Sequence, residues 1–388
     1  MPIHLCNDGD IQGLMSLANK RPASEAANPA VSSSSNLCIS TQVGLGPMNS
    51  SIHRLPAELI LDIFDLACQT EWEDQLLANQ VKLPSAPFVL GQVCRHWRHL
   101  TQTTPSLWTR LSLVLSGEKG QTPISFLHYY LSRSKNSLLS IHIQQDRTRM
   151  FNLFEHDAYQ RAFTQVIDIL APHSERWKDV SLYVPGCHPC PSLQSIQGRL
   201  PNLESLSIRM SSVRLSLRLR PSELNMFNHA PRLQKVQYPD VSDRLRLHID
   251  YSTLTSFTCD NIAFADAVEI LRGSANLVHC TLAVLYYTQV NLDVPTITLP
   301  KLKTLTLREH CRFVQCPLLR VLVLPNLRVL NTDRRSSTDQ PIKALLDRSG
   351  CTPVVHLMDR RGGSLIGRRR MQALVSNAIL QPYSIGLE

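Results

Sequence analysis

The sequence predicts an α/β protein, with a helical module near its N-terminus followed by an irregular solenoid that has a curved parallel sheet. Two observations lead to this fold class. Residues 55–67 place apolar side chains at helical spacing on two adjacent stripes. From position 138 onward, a template that suits a half-buried strand recurs eight times, with helix-like stretches between its copies. Strand, turn and helix in repeated order produce stacked parallel strands.

Composition narrows the possible function. The chain has 388 residues, 43% of them hydrophobic and 18% charged, which is typical of globular proteins. Its net charge of +9 is mild, and its few aromatic residues do not alternate with a basic stripe, so we expect no nucleic-acid partner. No apolar run approaches the roughly 20 residues of a membrane span, and no secretion signal is evident. We therefore expect a cytoplasmic or nuclear location, with the eleven cysteines as free thiols.

The first predicted helix begins at Pro56, since proline lacks an N–H that the first turn does not need. Its apolar residues form two neighbouring stripes, so the helix needs cover on more than one side, from its own chain or from a partner. A second helix is predicted over 88–101, with 69–88 as a long connection. The stripes of the first helix are Leu59, Ile63 and Leu66, and Ile60, Phe64 and Ala67; the face of the second is Val89, Val93, Trp97 and Leu100.

Three motifs in this region match one known family. They are Leu55-Pro56-x-Glu58-Leu59-Ile60-x-x-Ile63-Phe64, Val93-Cys94-x-x-Trp97 and Leu107-Trp108. Together, over residues 52–111, they resemble the F-box. The predicted connection is longer than in the compact F-box, and this long form resembles the F-box-like domain of the basidiomycete fungal type. The resemblance implies binding to a Skp-type adaptor, and through it a cullin, by Leu55, Pro56, Leu59, Ile60 and Ile63. It implies a module core of Phe64, Val93, Cys94, Trp97, Leu107 and Trp108. The alternative is that the five adaptor-binding residues are themselves internal core.

The repeated template is Leu-x-x-Leu-x-Leu with apolar substitutions. Its last two apolar positions point to the same side of a strand. Several copies follow a turn such as Pro-Asn-Leu. The eight copies are Leu138/Ile141/Ile143, Trp177/Val180/Leu182, Leu203/Leu206/Ile208, Leu233/Val236/Tyr238, Leu254/Phe257/Cys259, Leu277/Cys280/Leu282, Leu302/Leu305/Leu307 and Leu319/Leu322/Leu324.

Residues 123–350 therefore resemble the leucine-rich-repeat arrays that often follow an F-box; the alternative is an ordinary α/β domain with parallel strands. The asparagine or cysteine expected eight positions after the first leucine is missing, so the turns must satisfy their backbone in another way. Helices are predicted at 123–135, 159–170, 222–228, 263–272 and 340–347, and extra strands at 213–219 and 245–249.

The two ends of the chain show no sustained period. Residues 1–50 contain a serine run and several Pro and Gly residues, which predicts a disordered leader. Residues 351–388 form a basic segment, with five arginines between 360 and 370. That cluster suits a nuclear-import signal, an acidic partner or a solvated loop.

No catalytic or metal motif is recognisable. The chain lacks the glycine-rich phosphate loops, the Gly-x-Ser-x-Gly elbow and His-Glu-x-x-His. Cys187, His188 and Cys190 form the one Cys-x-x-Cys motif, but a structural zinc needs a second pair. Cys94 beside His96 and His99 could be a nucleophile, although a small buried side chain is the simpler interpretation. We expect no enzyme activity, no cofactor and no metal.

The sequence thus predicts the substrate-recognition subunit of a Skp–cullin–F-box type ubiquitin ligase, in which the helices bind the adaptor and the repeats bind an unidentified target protein. The alternative is a protein-interaction scaffold that uses the repeats and never joins a ligase.

Overall fold

The computed structural model describes residues 52, 55–78, 85–115, 124–145, 153–185, 191–210, 222–238, 245–285, 294–309, 317–333, 339–358 and 371–372. The predicted leader at 1–50, the strand at 213–219, the Cys-x-x-Cys motif and the arginine cluster at 360–370 lie outside these residues. The chain divides into two compact units. The first is Met1–Arg110 with His128–Lys135, and the second is Leu111–Leu127 with Asn136–Glu388.

The first unit is built from helices. They are α1 at Ala57–Ala78, α2 at Ala86–Val93, α3 at Arg95–Thr103 and a 3₁₀ turn at Pro105–Trp108. The helix α4, at Ile124–Ser134, agrees with the prediction for 123–135, and its second half belongs to this unit. The predicted connection over 69–88 is wrong, because α1 continues for ten residues beyond Cys68. That stretch is rich in helix-forming Gln, Glu, Leu and Ala, and its Gln69 Nε2 donates to Glu73 Oε1 at 3.0 Å.

The single helix predicted over 88–101 is also wrong, because the chain is extended at Cys94, with φ −158° and ψ 172°. The sulfur of Cys94 accepts a hydrogen bond from the backbone N of Trp97 at 3.4 Å, and so caps the start of α3. The two helices then pack closely. A Cβ added to Gly91 would lie only 3.1 Å from Thr101 Oγ1, so this glycine permits the close approach.

Aromatic rings fill the core of the helical unit. The rings of Phe64 and Trp97 meet edge to face with centroids 4.8 Å apart, and those of Phe88 and Trp108 do so at 5.1 Å. Trp108 is buried, and its Nε1 donates to the carbonyl oxygen of Thr101 at 2.7 Å. The buried indole therefore keeps a hydrogen bond while it anchors the core.

The second unit is α/β with a large, almost wholly parallel sheet, as predicted. In the described residues this sheet has eleven strands, and their order in space follows their order in the chain. They are β1 (Arg110–Leu115), β2 (Leu139–Gln145), β3 (Trp177–Val184), β4 (Ser205–Met210), β6 (Lys235–Tyr238), β8 (Ser256–Ala263), β9 (His279–Leu285), β11 (Thr304–Glu309), β13 (Val329–Asp333), β14 (Val354–Met358) and the antiparallel β15 (Met371–Gln372).

Two small parallel pairs lie outside the large sheet. They join β5 (Ser222–Leu224) to β7 (Leu245–Leu247), and β10 (Ile297–Thr298) to β12 (Leu322–Val323). The predicted helix at 222–228 is therefore wrong, whereas the predicted strand at 245–249 is present as β7. The other helices are α5 (Leu153–Leu170), α6 (Pro191–Gln194), α7 (Phe264–Gly273), α8 (Leu318–Val321) and α9 (Asp339–Ser349), which include the helices predicted at 159–170, 263–272 and 340–347.

The apolar template marks the buried side of the sheet. Both strand positions of the first seven copies are buried, because alternate side chains of a strand point to the same face. The eighth copy is misplaced, since Leu322 belongs to the small strand β12. The large sheet continues instead through Leu327, Leu330 and Thr332 of the β13 segment. It also extends into the segment predicted to begin at 351, because Val354 and Val355 continue the apolar pattern in β14.

The turns before the strands are joined by a repeated set of hydrogen bonds. The backbone N of the first template leucine donates to the residue three positions earlier, as from Leu277 to Ser274 at 3.2 Å. The side chain just before that leucine reaches the previous turn. Asn202, Asn276 and Asn326 donate their Nδ2 to the carbonyl oxygens of Glu175, Ser252 and Pro300 at 2.8, 2.7 and 2.7 Å. These asparagines supply the backbone partners that the missing asparagine or cysteine was expected to provide.

Candidate protein-binding surface

Helix α1 exposes a stripe of large apolar side chains. Leu59, Ile63 and Leu66 are 49%, 44% and 63% exposed. Their spacing of four and three residues puts them on one face of the helix. Leu and Ile side chains have no polar group that interacts favourably with water. This face is therefore suited to burial against another molecule.

Helix α2 exposes two more residues of the same kind, Val89 and Val93, at spacing i, i+4. In the described part of the chain, one further large apolar residue is exposed, Leu138 in the second unit. Exposed apolar area is thus concentrated on two helices of the first unit. We call Leu59, Ile63, Leu66, Val89 and Val93 the apolar surface.

The five residues predicted to bind an adaptor do not share one environment. Pro56 is exposed and Leu55 is half-buried at the start of α1, and Leu59 and Ile63 belong to the apolar surface. Ile60 is 1% exposed, so its side chain is part of the core. Of the two apolar stripes of α1, the one that contains Ile60 and Phe64 is buried, and the other is exposed.

The residues predicted to form the module core also divide. Phe64, Leu107 and Trp108 are buried, and Trp97 is half-buried against Phe64. The remaining two lie at the break between α2 and α3, which the prediction of a single helix did not anticipate. Val93 ends α2 and is 57% exposed, while Cys94 is half-buried as the cap of α3.

Leu66 and Val89 are apolar-surface residues absent from the predicted site. Leu66 lies on the same predicted stripe as Leu59 and Ile63, and Val89 on the same predicted face as Val93. Helical spacing was therefore the signal that could have identified both residues.

The charges of the helices have opposite signs. Helix α1 contains six carboxylates and no Lys or Arg, and among these Glu58 and Asp62 are exposed near the apolar stripe. Helix α3 exposes Arg95, His96 and Arg98. An apolar centre beside polar and charged residues is the usual composition of a protein–protein interface.

Two carboxylates of α1 fix its position within the unit. Glu71 Oε2 accepts from the backbone N of Ala86 at 2.6 Å, which links α1 to the beginning of α2. Burial raises the pKa of the Glu71 carboxyl, although this hydrogen bond opposes the change. Asp65 forms an ion pair with Arg110, with Oδ1 and Nη1 2.8 Å apart. The helix is therefore held in place through its polar residues, so its exposed stripe can be presented without rearrangement.

The described residues offer little reactive chemistry. No group of three or more His, Cys, Asp or Glu among them could hold a metal ion. Burial raises the pKa of the Cys68 thiol to about 12, which disfavours a thiolate there. None of the described helices is both long and apolar enough to cross a membrane.

The comparisons with known proteins add no assignment. No family model matches the chain. No curated protein matches it either.

Proposed function

We propose that this protein is the substrate-recognition subunit of a Skp–cullin–F-box type ubiquitin ligase. The observation that carries the proposal is the exposed stripe Leu59, Ile63 and Leu66 on α1, which directly follows Leu55-Pro56. Leu59 and Ile63 lie within the first motif that resembles an F-box, Leu66 follows it, and all three side chains are exposed. The module is proposed to be F-box-like and the second unit a leucine-rich-repeat-like solenoid.

Burial of the apolar surface would supply part of the free energy of an interface. Fully burying one such side chain contributes about 1.5–3 kcal/mol, and each of these five is roughly half exposed. Covering the five would then contribute about 5 kcal/mol, with more from Leu55 and Pro56. Association costs of at least about 4 kcal/mol must be offset, so the remaining affinity depends on the polar residues around the surface.

The large sheet supports the second half of the proposal. Its strands follow each other in sequence, and matching turns are joined by matching hydrogen bonds, as in stacked repeats. Such an array offers an extended surface for a target protein. The chain would contribute to ubiquitin transfer by proximity alone, because it would hold the target beside the ubiquitin-loaded enzyme.

Adaptor capture tests the proposal. The full chain carrying Leu59→Asp and Ile63→Asp should lose at least tenfold of its capture of a purified Skp-type adaptor. The matched control is Ser125→Asp with His128→Asp, which introduces the same two side chains at exposed positions of α4 outside the apolar surface. Ile60→Asp is unsuitable as a test, because a charge at this buried position would disrupt the core.

Absence of capture by the unmodified chain would contradict the ligase proposal, as would equal capture by the unmodified chain and the Leu59/Ile63 variant. Either result would favour the non-ligase scaffold. The long connection that motivated the scaffold is shorter than predicted, since residues 69–78 are part of α1.

A further inference from the structure

The large sheet has an edge at which its parallel strands begin, and we call this the strand-start edge. It consists of the turn before each strand and the first two strand residues. Because neighbouring parallel strands are in register, residues at matching turn positions lie about 4.8 Å apart along this edge. Their charges can therefore be compared strand by strand.

At β3 and β4 the charges of the strand-start edge are balanced. Lys178 Nζ lies 3.7 Å from Glu204 Oε2, and Arg199 Nε lies 3.7 Å from Glu175 Oε1. These are surface ion pairs of the ordinary kind, and they leave little net field.

From β6 to β13 the same edge carries five exposed cations, two at β6, two at β11 and one at β13. Its one carboxylate in the described residues is Asp250, before β8, whose Oδ1 already accepts a hydrogen bond from the backbone N of Ser252 at 2.9 Å. None of its cations forms an ion pair with a carboxylate in the described part of the chain. The exposed cations are Arg232, Lys235, Lys301, Lys303 and Arg328.

Two of these cations are held in place by asparagines of the turn ladder. Lys301 Nζ donates to Asn276 Oδ1 at 2.7 Å, and Arg232 Nη1 donates to Asn202 Oδ1 at 3.2 Å. An amide oxygen orients a cation without neutralising it. Less side-chain entropy is then lost when an anion binds.

Two further cations are direct neighbours. The backbone N of Arg328 donates to the carbonyl oxygen of Lys303 at 2.8 Å, so both residues occupy the same turn position on adjacent strands. Like charges in such positions repel each other and destabilise the sheet. A bound anion between them would remove this repulsion.

We propose that the strand-start edge from β6 to β13 binds an extended, carboxylate-rich segment of a partner protein. The four strand spacings between β6 and β13 cover about 19 Å, which an extended peptide of about six residues spans. The lysine and arginine side chains along this length can form charge-assisted hydrogen bonds with several Asp or Glu residues of such a segment. This inference depends on the proposed function in one respect, which is that the partner bound at this edge would be the ubiquitination target.

The test uses the full chain and a fluorescein-labelled peptide of eight Glu and Asp residues. Binding is followed by fluorescence anisotropy between 50 and 300 mM NaCl. We expect affinity to fall with salt, and to fall at least tenfold in the variant Lys301→Gln/Lys303→Gln/Arg328→Gln. The control variant Lys178→Gln/Arg199→Gln/Arg161→Gln removes the same charge elsewhere in the second unit and should stay within twofold.

Three outcomes would overturn the proposal. They are equal loss in both triple variants, equal binding of a Gln/Asn version of the peptide, and tighter binding of a single-stranded 12-mer oligonucleotide. Thermal unfolding confirms that each variant is folded. Adaptor capture is measured on the same variants, and its retention separates a failure at this edge from a failure of the ligase proposal.

Discussion

Asn276 joins two consecutive turns of the large sheet through Ser252, whose carbonyl oxygen accepts from the asparagine Nδ2 at 2.7 Å. The Oδ1 atom of the same side chain accepts a hydrogen bond from Lys301 Nζ. One side chain thus satisfies a backbone group of the strand before it and positions a cation of the strand after it. Asn202 has the same kinds of partner three strands earlier in the sheet, before β4, with Glu175 and Arg232.

Replacing Asn276 tests what the ladder contributes to stability. We expect Asn276→Ala to lower the free energy of unfolding of the second unit by about 1 kcal/mol, since it removes the hydrogen bond to Ser252. Urea unfolding followed by circular dichroism measures the change. A value within error of the unmodified chain would contradict the prediction.

The two stripes of α1 should respond differently to truncation. Ile60 is buried, so Ile60→Ala should cost about 2–5 kcal/mol of the stability of the helical unit through the cavity it leaves. Leu59 is half exposed, so Leu59→Ala should change stability by less than about 0.5 kcal/mol. Near-ultraviolet circular dichroism of the aromatic core during urea unfolding reports both effects. Similar losses in the two variants would show that Leu59 is buried in solution.

Cys94 should behave as a helix cap. Serine is a preferred N-cap residue, whereas alanine cannot accept the hydrogen bond from Trp97 N. We expect Cys94→Ser to match or exceed the unmodified chain in thermal stability, and Cys94→Ala to lose about 0.5–2 kcal/mol. Differential scanning calorimetry measures the unfolding transition of each variant. If Ser proved as destabilising as Ala, packing of the sulfur would matter more than capping.

His142 should make the second unit sensitive to acid. Burial, together with the positive charge of Arg209, lowers the pKa of His142 to about 4 from its ordinary 6.5. Between pH 4 and pH 6.5, His142 is protonated in the unfolded chain and neutral in the folded chain. Stability contributed by neutral His142 is therefore complete above pH 6.5, and up to about 3 kcal/mol is lost as the pH falls to 4.

The measurement for His142 is urea unfolding at several pH values between 4.5 and 7. His142→Asn should show a shallower pH dependence than the unmodified chain. Parallel pH profiles for the unmodified chain and His142→Asn would contradict the assignment.

Much of the second unit could be predicted from sequence because burial there imposes a regular pattern. Leu305 and Leu307 are two residues apart on one buried face of β11, and the same pair recurs on most strands. The short strand β12 could not be separated from the large sheet in this way, since Leu322 and Leu324 follow the same pattern. Register with β10 rather than alternation decides where that strand pairs.

The helical unit was harder to predict where polar residues determine its structure. The extension of α1 beyond Cys68 depends on side-chain pairs such as Gln69 with Glu73, and the break before α3 depends on one capping sulfur. Neither the side-chain pairs nor the capping sulfur produces a periodic pattern of apolar residues in the sequence. Two stripes on α1 were visible, but only packing decides that Ile60 is buried while Ile63 is exposed.

The sequential order of the strands has a consequence for how such a chain can change in evolution. Leu277, Leu302 and Leu327 are each separated by 25 residues, and each begins a segment that contacts the segments on either side. Duplication or loss of one 25-residue segment would leave the pairing of all others intact. The sheet can therefore lengthen or shorten by whole segments, without redesign of its interior.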